Sequence, residues 1–407
     1  MKKDLRIAEV RAIEGQGAYY YEDFTTLRNH SISEDKRWVT PSSTEGFRFV
    51  REIAEVVSLG ICCEEKGWSW GDCVGVSYSG KSGREKLFRA SDGIAQIKKS
   101  VIPFLKNKEL TTFRNLMAEV DHLDLSLAVK YGLSQSLLQV FAFAHSEQPW
   151  QTLQREWGLV EVPQAVPIQG SSGNQREVNA EKMLRNRLAG LPHGQVDDIP
   201  NQVGAQGEIL LGYVNWLRKK IGDLGDKNYH PVIHLDVHGA LGVVFNNDAK
   251  KIGEYLKRIE ESCYPYPVRI ESGLLGSNQT ETIFQLKELR AILEQRNIKV
   301  QLVADEWANT LSDILEFARS GAVHMVHIKM PDLGGIHHSV EAVLNLKKLG
   351  VGSLLGGSCV ETDLSARMSV QVALATQPTA ILAKPGMGID EAIQITRNEM
   401  NRSLALV

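Results

Sequence analysis

The sequence predicts an α/β protein in which an N-terminal α+β capping domain precedes a modified (β/α)8 barrel of the TIM type. After residue 160, short apolar runs alternate with amphipathic helical stretches, the pattern of a parallel sheet covered by helices. Before residue 160, strand-like segments are followed by helical ones. We therefore expect the α+β domain over residues 1–160 and the β/α barrel over residues 161–407.

Size and composition agree with a globular protein of about two domains. Of 407 residues, 43% are hydrophobic and 23% are charged, and the net charge of -3 gives no basic stripe for nucleic acid. No apolar run approaches the roughly 18–20 residues that span a membrane, and the N-terminus lacks the apolar region of a secretory signal. Five cysteines without a CxxC pair predict a reducing, cytoplasmic setting.

The capping domain begins with strands. The segment "DLRIAEVRAIEG" alternates, and "EVVSLGICCEEKGWSWGDCVGVSYSG" predicts two antiparallel strands joined near Lys66 and Gly67. Helical spacing follows in "SDGIAQIKKSVIPFL", with Ser91 and Asp92 as expected caps, and in "DLSLAVKYGLSQSLLQVFAFAHS".

Seven apolar runs predict the barrel strands, and seven or eight such units favour a closed barrel. The runs are "AVPIQG", "PVIHLDVHG", "YPVRIESG", "VQLVADEW", "MVHIKMPD", "GSLLGGS" and "AILAKPG". A doubly wound open sheet is the alternative. The absence of GxGxxG and GxxxxGKS phosphate turns weakens it.

Charged residues stand at the ends of four successive runs. Asp236, Glu271 and Asp305 are about one β/α unit apart, and Lys329 ends the next run. Because the carboxyl ends of barrel strands share one mouth, we expect these side chains to converge. The alternative for each acid is that it caps a helix or pairs with a basic residue.

Three convergent carboxylates repel one another unless a cation lies among them. Oxygen ligands suit Mg²⁺ or Mn²⁺, and no cysteine or histidine at the same spacing suggests zinc. Burial beside a cation should lower the pKa of Lys329 and make it a general base. A carboxylic acid held on the metal would be activated at its adjacent C–H bond, as in enolase-superfamily sites.

At this point the residues resemble the methylaspartate ammonia-lyase family of the enolase superfamily, over nearly the whole chain. The segments that carry the resemblance are "GDCVGVSYSGKSGREKLF", "LPHG", "HLDVHG", "LVADEWANT", "HIKMPDLGG", "LAKPGMGIDE" and "NEMNRSLALV". The resemblance implies an enolase-like capped barrel, usually a homodimer. It also implies Mg²⁺ bound by Asp236, Glu271 and Asp305, often with a monovalent cation such as K⁺.

The activity implied by the resemblance belongs to amino-acid degradation, as in glutamate fermentation. Lys329 would remove the C3 proton of (2S,3S)-3-methylaspartate through a metal-stabilised enolate, and loss of ammonia would give mesaconate. His193, on the opposite face of the substrate, would bind its carboxylate and serve as base for the C3 epimer. The Lys-x-Lys pair of many superfamily members is missing. A dehydratase or epimerase acting on another carboxylic acid is the alternative, and a non-catalytic metal-stabilised scaffold is a further one.

The resemblance also extends to pocket residues. Gln169, Ser358, Cys359 and Leu382 match family positions that contact substrate, and Gly356 and Gly357 would let backbone N–H groups approach an anion. Three positions depart from the family. His327 replaces a glutamine expected at the substrate carboxylate, Ser77 replaces another glutamine, and Leu354 replaces an aromatic residue. A close analogue of 3-methylaspartate is therefore also considered as the substrate.

Overall fold

A computed structural model of the chain describes residues 6–29, 32–63, 67–106, 108–173, 175–196, 198–384 and 388–407. Its first part holds a three-stranded antiparallel sheet in the order β1-β2-β3, formed by β1 (Ile7–Glu22), β2 (Arg51–Cys63) and β3 (Gly67–Cys73). The predicted pairing of the second and third strands is confirmed, because Cys63 pairs with Gly67. Lys66, placed in the predicted turn, lies outside the described residues.

Six α-helices follow or interrupt this sheet, with a 3-10 turn at Glu34–Lys36 and a π-helical turn at Ile97–Val101. They are α1 (Phe24–Asn29), α2 (Ala90–Gln96), α3 (Ile102–Leu105), α4 (Phe113–Asp121), α5 (Leu127–His145) and α6 (Pro149–Trp157).

The start of α2 differs from the prediction. The helix begins at Ala90, so Ser91 and Asp92 lie inside its first turn, and the predicted caps are wrong. The Glu55 carboxylate on β2 accepts the Ala90 N–H at 2.8 Å. A carboxylate distant in sequence therefore satisfies a free N–H group at the helix start.

Helix α5 packs closely on the sheet. A Cβ atom at Gly132 would overlap Cys73 of β3, so only glycine allows this approach of helix and strand. Ser136 donates to the Leu59 carbonyl at 2.7 Å, which links the helix to β2. Most of the helix is buried, as expected for a helix without a polar face.

Eight parallel strands close into a barrel in the remainder of the chain. In barrel order they are β10 (Gly352–Gly356), β11 (Ala380–Leu382), β4 (Ile168–Gln169), β5 (Gly190–Gln195), β6 (Val232–Asp236), β7 (Val268–Glu271), β8 (Gln301–Ala304) and β9 (Met325–Lys329). The predicted barrel is confirmed, and the open-sheet alternative is excluded. The strand missing from the seven runs is β5, whose sequence "GLPHGQ" has the glycine and proline content of a turn.

Helices surround the barrel. They are α7 (Arg176–Arg185), α8 (Ile199–Gln202), α9 (Glu208–Leu224), α10 (Ala240–Val244), α11 (Ala249–Cys263), α12 (Gln279–Gln295), α13 (Leu311–Ser320), α14 (Met330–Leu333), α15 (Ile336–Lys348), α16 (Asp363–Thr376) and α17 (Ile389–Leu404). One continuous buried core joins them to the N-terminal part. Across the described ranges, none of these helices is long and apolar enough to cross a membrane.

Candidate active site

Three carboxylates meet at the carboxyl end of the barrel. Asp236 ends β6 and Glu271 ends β7, and the two are direct partners in the parallel register. Asp305 follows β8 by one residue. The three residues offer ligand oxygens within 4.8 Å of one another, and all three are buried. The structure thus brings together the acids selected from the sequence.

Each acid is followed by a residue with left-handed backbone. The φ angles are +43° at His238, +49° at Ser272 and +69° at Trp307. Residues other than glycine seldom adopt this conformation, and it concentrates at functional sites. Here it turns the chain away sharply behind each carboxylate, so the strand ends stay open to the barrel mouth.

The charges of the three acids are not equivalent. Burial raises the pKa of Asp236 well above its usual range, and the neighbouring Glu271 and Glu306 add to the effect. Burial also acts to raise the pKa of Glu271, but His327 and His193 outweigh burial and hold this pKa well below its usual range. Three buried carboxylates at this separation form an oxygen-only ligand set suited to Mg²⁺.

Three histidines surround Glu271, although no histidine shares the strand-end spacing of the acids in the sequence. The Nε2 atoms of His234 and His193 lie 2.7 Å and 3.2 Å from Glu271 Oε2, and His327 Nδ1 lies 2.9 Å from Oε1. The sequence interpretation missed His234. Strand alternation gives the signal, because His234 is two residues before Asp236 and shares its face.

Lys329 ends β9 and is buried beside Asp305, with which its ammonium forms an ion pair. Its Nζ also lies 5.6 Å from the centre of the Tyr78 ring. Burial lowers the pKa of Lys329, but Asp305 and Glu306 outweigh burial and raise it. The expected lowering of the Lys329 pKa depends on a bound cation, and it stays a prediction.

The capping domain supplies a second cation to Asp305. Arg84 Nη2 lies 3.4 Å from Asp305 Oδ1, and Arg84 Nε donates to Asp332 Oδ2 at 2.7 Å. All three side chains are buried. The sequence interpretation quoted "GREKLF" as a motif without assigning Arg84 a role, because its partners are more than 200 residues away.

Residues of the capping domain also cover the pocket. Phe24, Val76 and Tyr78 line it from above, and the rings of Phe24 and Tyr78 are 4.6 Å apart. The barrel contributes the residues Ser171, Gly173, His193, Asp236, Glu271, Asp305, His327, Lys329, Gly357, Ser358, Cys359, Leu382, Ala383 and Lys384. Most of the candidate residues thus share one pocket.

A buried network fixes the loop after β10. The Ser77 N–H of the capping domain donates to Ser358 Oγ at 3.2 Å. Glu361 accepts the Ser358 N–H at 2.9 Å and the Tyr131 hydroxyl at 2.7 Å. Lys384 Nζ lies 2.9 Å from Glu361, and both side chains are buried. Neither Glu361 nor Lys384 was selected from the sequence.

The two glycines before Ser358 have a role other than the expected approach of an anion. A Cβ atom at Gly356 would overlap the His327 ring, and one at Gly357 would overlap the Glu361 carboxylate. Glycine at these positions therefore makes room for two protein side chains.

Two further candidates lie deeper in the barrel. The Gln169 side chain is buried, and neither its Oε1 nor its Nε2 has a hydrogen-bond partner in the described part of the chain. Leu354 packs in a small apolar cluster with Leu382, Val303 and Met325. Leu382 also lines the pocket, so Leu354 supports a pocket residue from behind.

Comparison with known proteins places this geometry in a family. Residues 5–158 match the family model described as Methylaspartate ammonia-lyase N-terminus, and residues 161–407 match Methylaspartate ammonia-lyase C-terminus. Methylaspartate ammonia-lyase 2 of Carboxydothermus hydrogenoformans is 39% identical, with 99% of each chain covered. Methylaspartate ammonia-lyase of Citrobacter amalonaticus is 37% identical, again with 99% of each chain covered.

Solved structures agree. The Citrobacter amalonaticus enzyme containing (2S,3S)-3-methylaspartic acid superimposes with a TM-score of 0.95 at 37% identity, covering 98% of this chain and 99% of that one. The Mg complex of β-methylaspartase from Clostridium tetanomorphum superimposes with a TM-score of 0.92 at 34% sequence identity, covering 98% of both chains. An L-Ala-D/L-Glu epimerase from Bacillus subtilis shares the fold alone. Its TM-score is 0.66 at 15% sequence identity, covering 95% of this chain and 91% of that one. The chain therefore belongs to the methylaspartate ammonia-lyase family, a family of carbon–nitrogen lyases.

Proposed function

We propose that this chain is a Mg²⁺-dependent ammonia-lyase that converts (2S,3S)-3-methylaspartate, or a close analogue, to mesaconate and ammonia. The observation that carries the proposal is a buried lysine, Lys329, in one pocket with three buried carboxylates. Family membership adds the substrate class, because a relative's structure contains (2S,3S)-3-methylaspartic acid and another is a Mg complex.

The metal would be held by Asp236, Glu271 and Asp305. When bound, Mg²⁺ would supply a Lewis acid for the substrate carboxylate and a positive charge that disfavours the Lys329 ammonium. The histidines around Glu271 keep that carboxylate ionised and fix its orientation. This chain's residues therefore fit the cation by donor type, burial and support.

Lys329 is the proposed base. Its neutral amine takes the proton from C3 of the substrate, and the C–H electron pair becomes the C2=C3 double bond. The bond between C2 and the substrate ammonium group breaks, and its electron pair leaves with nitrogen as neutral ammonia. The rings of Phe24 and Tyr78, which line the pocket, would exclude water from this proton transfer.

Other pocket residues would position the substrate. We propose that His193 acts on the opposite face as hydrogen-bond donor and as base for the C3 epimer. Gln169 brings a buried amide that has no hydrogen-bond partner among the described residues, and this amide is suited to a polar group of the substrate. Ser358 and Cys359 would contact the amino and carboxylate groups, and Leu382 would contact the methyl group. His327, bound to Glu271, would influence the substrate carboxylate through that contact.

The test is an assay of the purified chain with (2S,3S)-3-methylaspartate and Mg²⁺, followed by absorbance of the unsaturated diacid and by ammonia release. We expect both products in equal amounts, abolished in Lys329→Ala and retained in the exposed control Lys257→Ala. Absence of both products at high enzyme concentration, with the protein folded and Mg²⁺ bound, would reject the proposal. A hydrated or epimerised product from another acid would favour the dehydratase or epimerase alternative.

We further propose a division of the chain near residue 160, which lies between α6 and β4. A homodimer in the cytoplasm, with K⁺ or another monovalent cation assisting, completes the proposal by analogy with the family. Sedimentation of the purified protein tests the dimer, and activity in K⁺ against a bulky organic cation tests the ion.

A further inference from the structure

Two consecutive histidines of the barrel meet one aspartate of the capping domain. His337 Nε2 lies 2.8 Å from Asp121 Oδ2, and His338 Nε2 lies 3.1 Å from Oδ1. Asp121 is the last residue of α4, and the histidines stand in the first turn of α15. The cluster therefore joins the two parts of the chain at a place separate from the residues of the pocket.

This convergence is unusual for neighbours on a helix, since side chains at consecutive positions normally point in different directions. Here the two imidazole rings are tilted against each other, with centres 3.9 Å apart and planes inclined by 38°. Both rings direct the same kind of atom, Nε2, to one carboxylate. Two side chains from consecutive positions therefore share one partner.

Packing fixes the His337 ring before any ligand is bound. A Cβ atom at Gly335 would overlap the Cε1 and Nδ1 edge of the ring, so the ring fills that space. His337 is only 7% exposed, and its Nδ1 has no hydrogen-bond partner within the described ranges. Nε2 is therefore the His337 nitrogen that contacts Asp121. Lys130 donates to the Asp121 carbonyl oxygen, which leaves the carboxylate to the histidines.

We propose that Asp121, His337 and His338 form a structural site for Zn²⁺ or a similar transition-metal ion. Nitrogen and oxygen ligands in this number suit zinc, whereas Mg²⁺ prefers oxygen alone. The three residues offer ligand atoms within 4.8 Å of one another. Bonds of about 2.0–2.2 Å to a tetrahedral ion separate its ligand atoms by about 3.3–3.6 Å. The histidine nitrogens now lie 2.8 Å and 3.1 Å from the carboxylate oxygens, so a bound ion would move them apart by less than about 1 Å. Water supplies the fourth ligand from the side of His338, which is partly exposed.

Such an ion would fasten α4 of the capping domain to α15. That helix begins a few residues after Lys329 and after Asp332, the partner of Arg84. The site is therefore placed to stabilise the junction of cap and barrel, and its ion takes no part in the proposed reaction. The inference does not depend on the substrate.

The experiment titrates the whole chain with Co²⁺ in excess Mg²⁺, which occupies the barrel carboxylates. We expect one Co²⁺ per chain with the visible absorption of a tetrahedral ion, displaced by Zn²⁺. His338→Gln and Asp121→Asn should each weaken this binding at least tenfold. His122→Gln, which removes the imidazole next to Asp121 but outside the cluster, should leave it unchanged, as should Asp236→Asn in the barrel.

Thermal unfolding gives an independent readout. Zn²⁺ should raise the melting temperature of the wild type by about 2 °C or more, and by less in His338→Gln. Three results would overturn the proposal: no saturable Co²⁺ binding by the wild type, equal binding by His338→Gln, or loss of the absorption band in Asp236→Asn. The first two would mean that the cluster is held by hydrogen bonds only, and the third that the ion sits in the barrel.

Discussion

His327 Nδ1 lies 2.9 Å from Glu271 Oε1, so one of the three residues predicted to depart from the family pattern contacts a proposed metal ligand. A neutral imidazole and a glutamine amide can each donate one N–H to that oxygen. We expect His327→Gln to bind Mg²⁺ within about threefold of wild type, and His327→Leu to bind it about 10–100-fold more weakly. Calorimetric Mg²⁺ titration measures both. Equal affinity in the leucine variant would show that the contact does not support the metal.

Arg84 holds two buried carboxylates, Asp305 and Asp332. In Arg84→Met the charge of Asp332 would be left buried without its cation, at a cost on the order of 3–5 kcal/mol. Chemical denaturation measures that loss. Arg84→Lys, which keeps the charge but not the guanidinium geometry, should lose less stability. A methionine variant as stable as wild type would contradict the assignment.

Glu361 and Lys384 form a buried pair behind the Ser358 loop. Glu361→Gln leaves the Lys384 ammonium without a counter-charge, and we expect a loss of about 3–5 kcal/mol in unfolding free energy. The double variant Glu361→Gln with Lys384→Met should recover much of that loss, since no uncompensated charge remains. A double-mutant cycle from denaturation curves tests this coupling, and strictly additive losses would argue against it.

Ser77 touches the barrel through its backbone. Its N–H donates to Ser358 Oγ, while the two hydroxyl oxygens are 3.5 Å apart. We expect Ser77→Ala to change stability by less than about 0.5 kcal/mol, because the backbone bond survives. Ser358→Ala removes the acceptor of that bond and should cost about 1–3 kcal/mol. Comparable losses in both variants would show that the Ser77 hydroxyl matters more than its N–H.

Asp23 organises the segment that carries Phe24 over the pocket. Its carboxylate accepts from Ser42 at 2.6 Å and Thr44 at 2.8 Å, and from two backbone N–H groups of α1. Burial opposes ionisation, but these hydrogen bonds outweigh burial and lower the pKa of Asp23.

Because the folded pKa of Asp23 is below the unfolded value of about 3.9, its stabilising contribution is present above that pH. It is lost as the pH falls through the folded value. Hydrogen exchange of the α1 amides, corrected for intrinsic rates, should therefore accelerate below about pH 4. Asp23→Asn should exchange fast at neutral pH too. Protection that is independent of pH in the wild type would contradict this account.

The strand-end acids could be selected from sequence because their signal is local: each follows a short apolar run. The strand β5 could not, since Pro192 and its neighbouring glycines resemble a turn. The contacts of Arg84 and Ser77 could not be predicted either, because their partners lie 221 to 281 residues away. Whether the protein raises or lowers the pKa of Lys329 depends on how closely Asp305 and Glu306 approach its ammonium group. Spacing along the chain does not fix that distance.

The link between Arg84 and Asp305 sets an order of events during synthesis. A ribosome makes Arg84 long before the two aspartates that surround it, and N-terminal domains generally fold first. Until both aspartates emerge, the arginine has no buried carboxylate to neutralise it. A prematurely terminated chain that stops before β8 would therefore leave Arg84 without these two partners and would lack Lys329, the proposed base, so the site is complete only in chains translated nearly to their end.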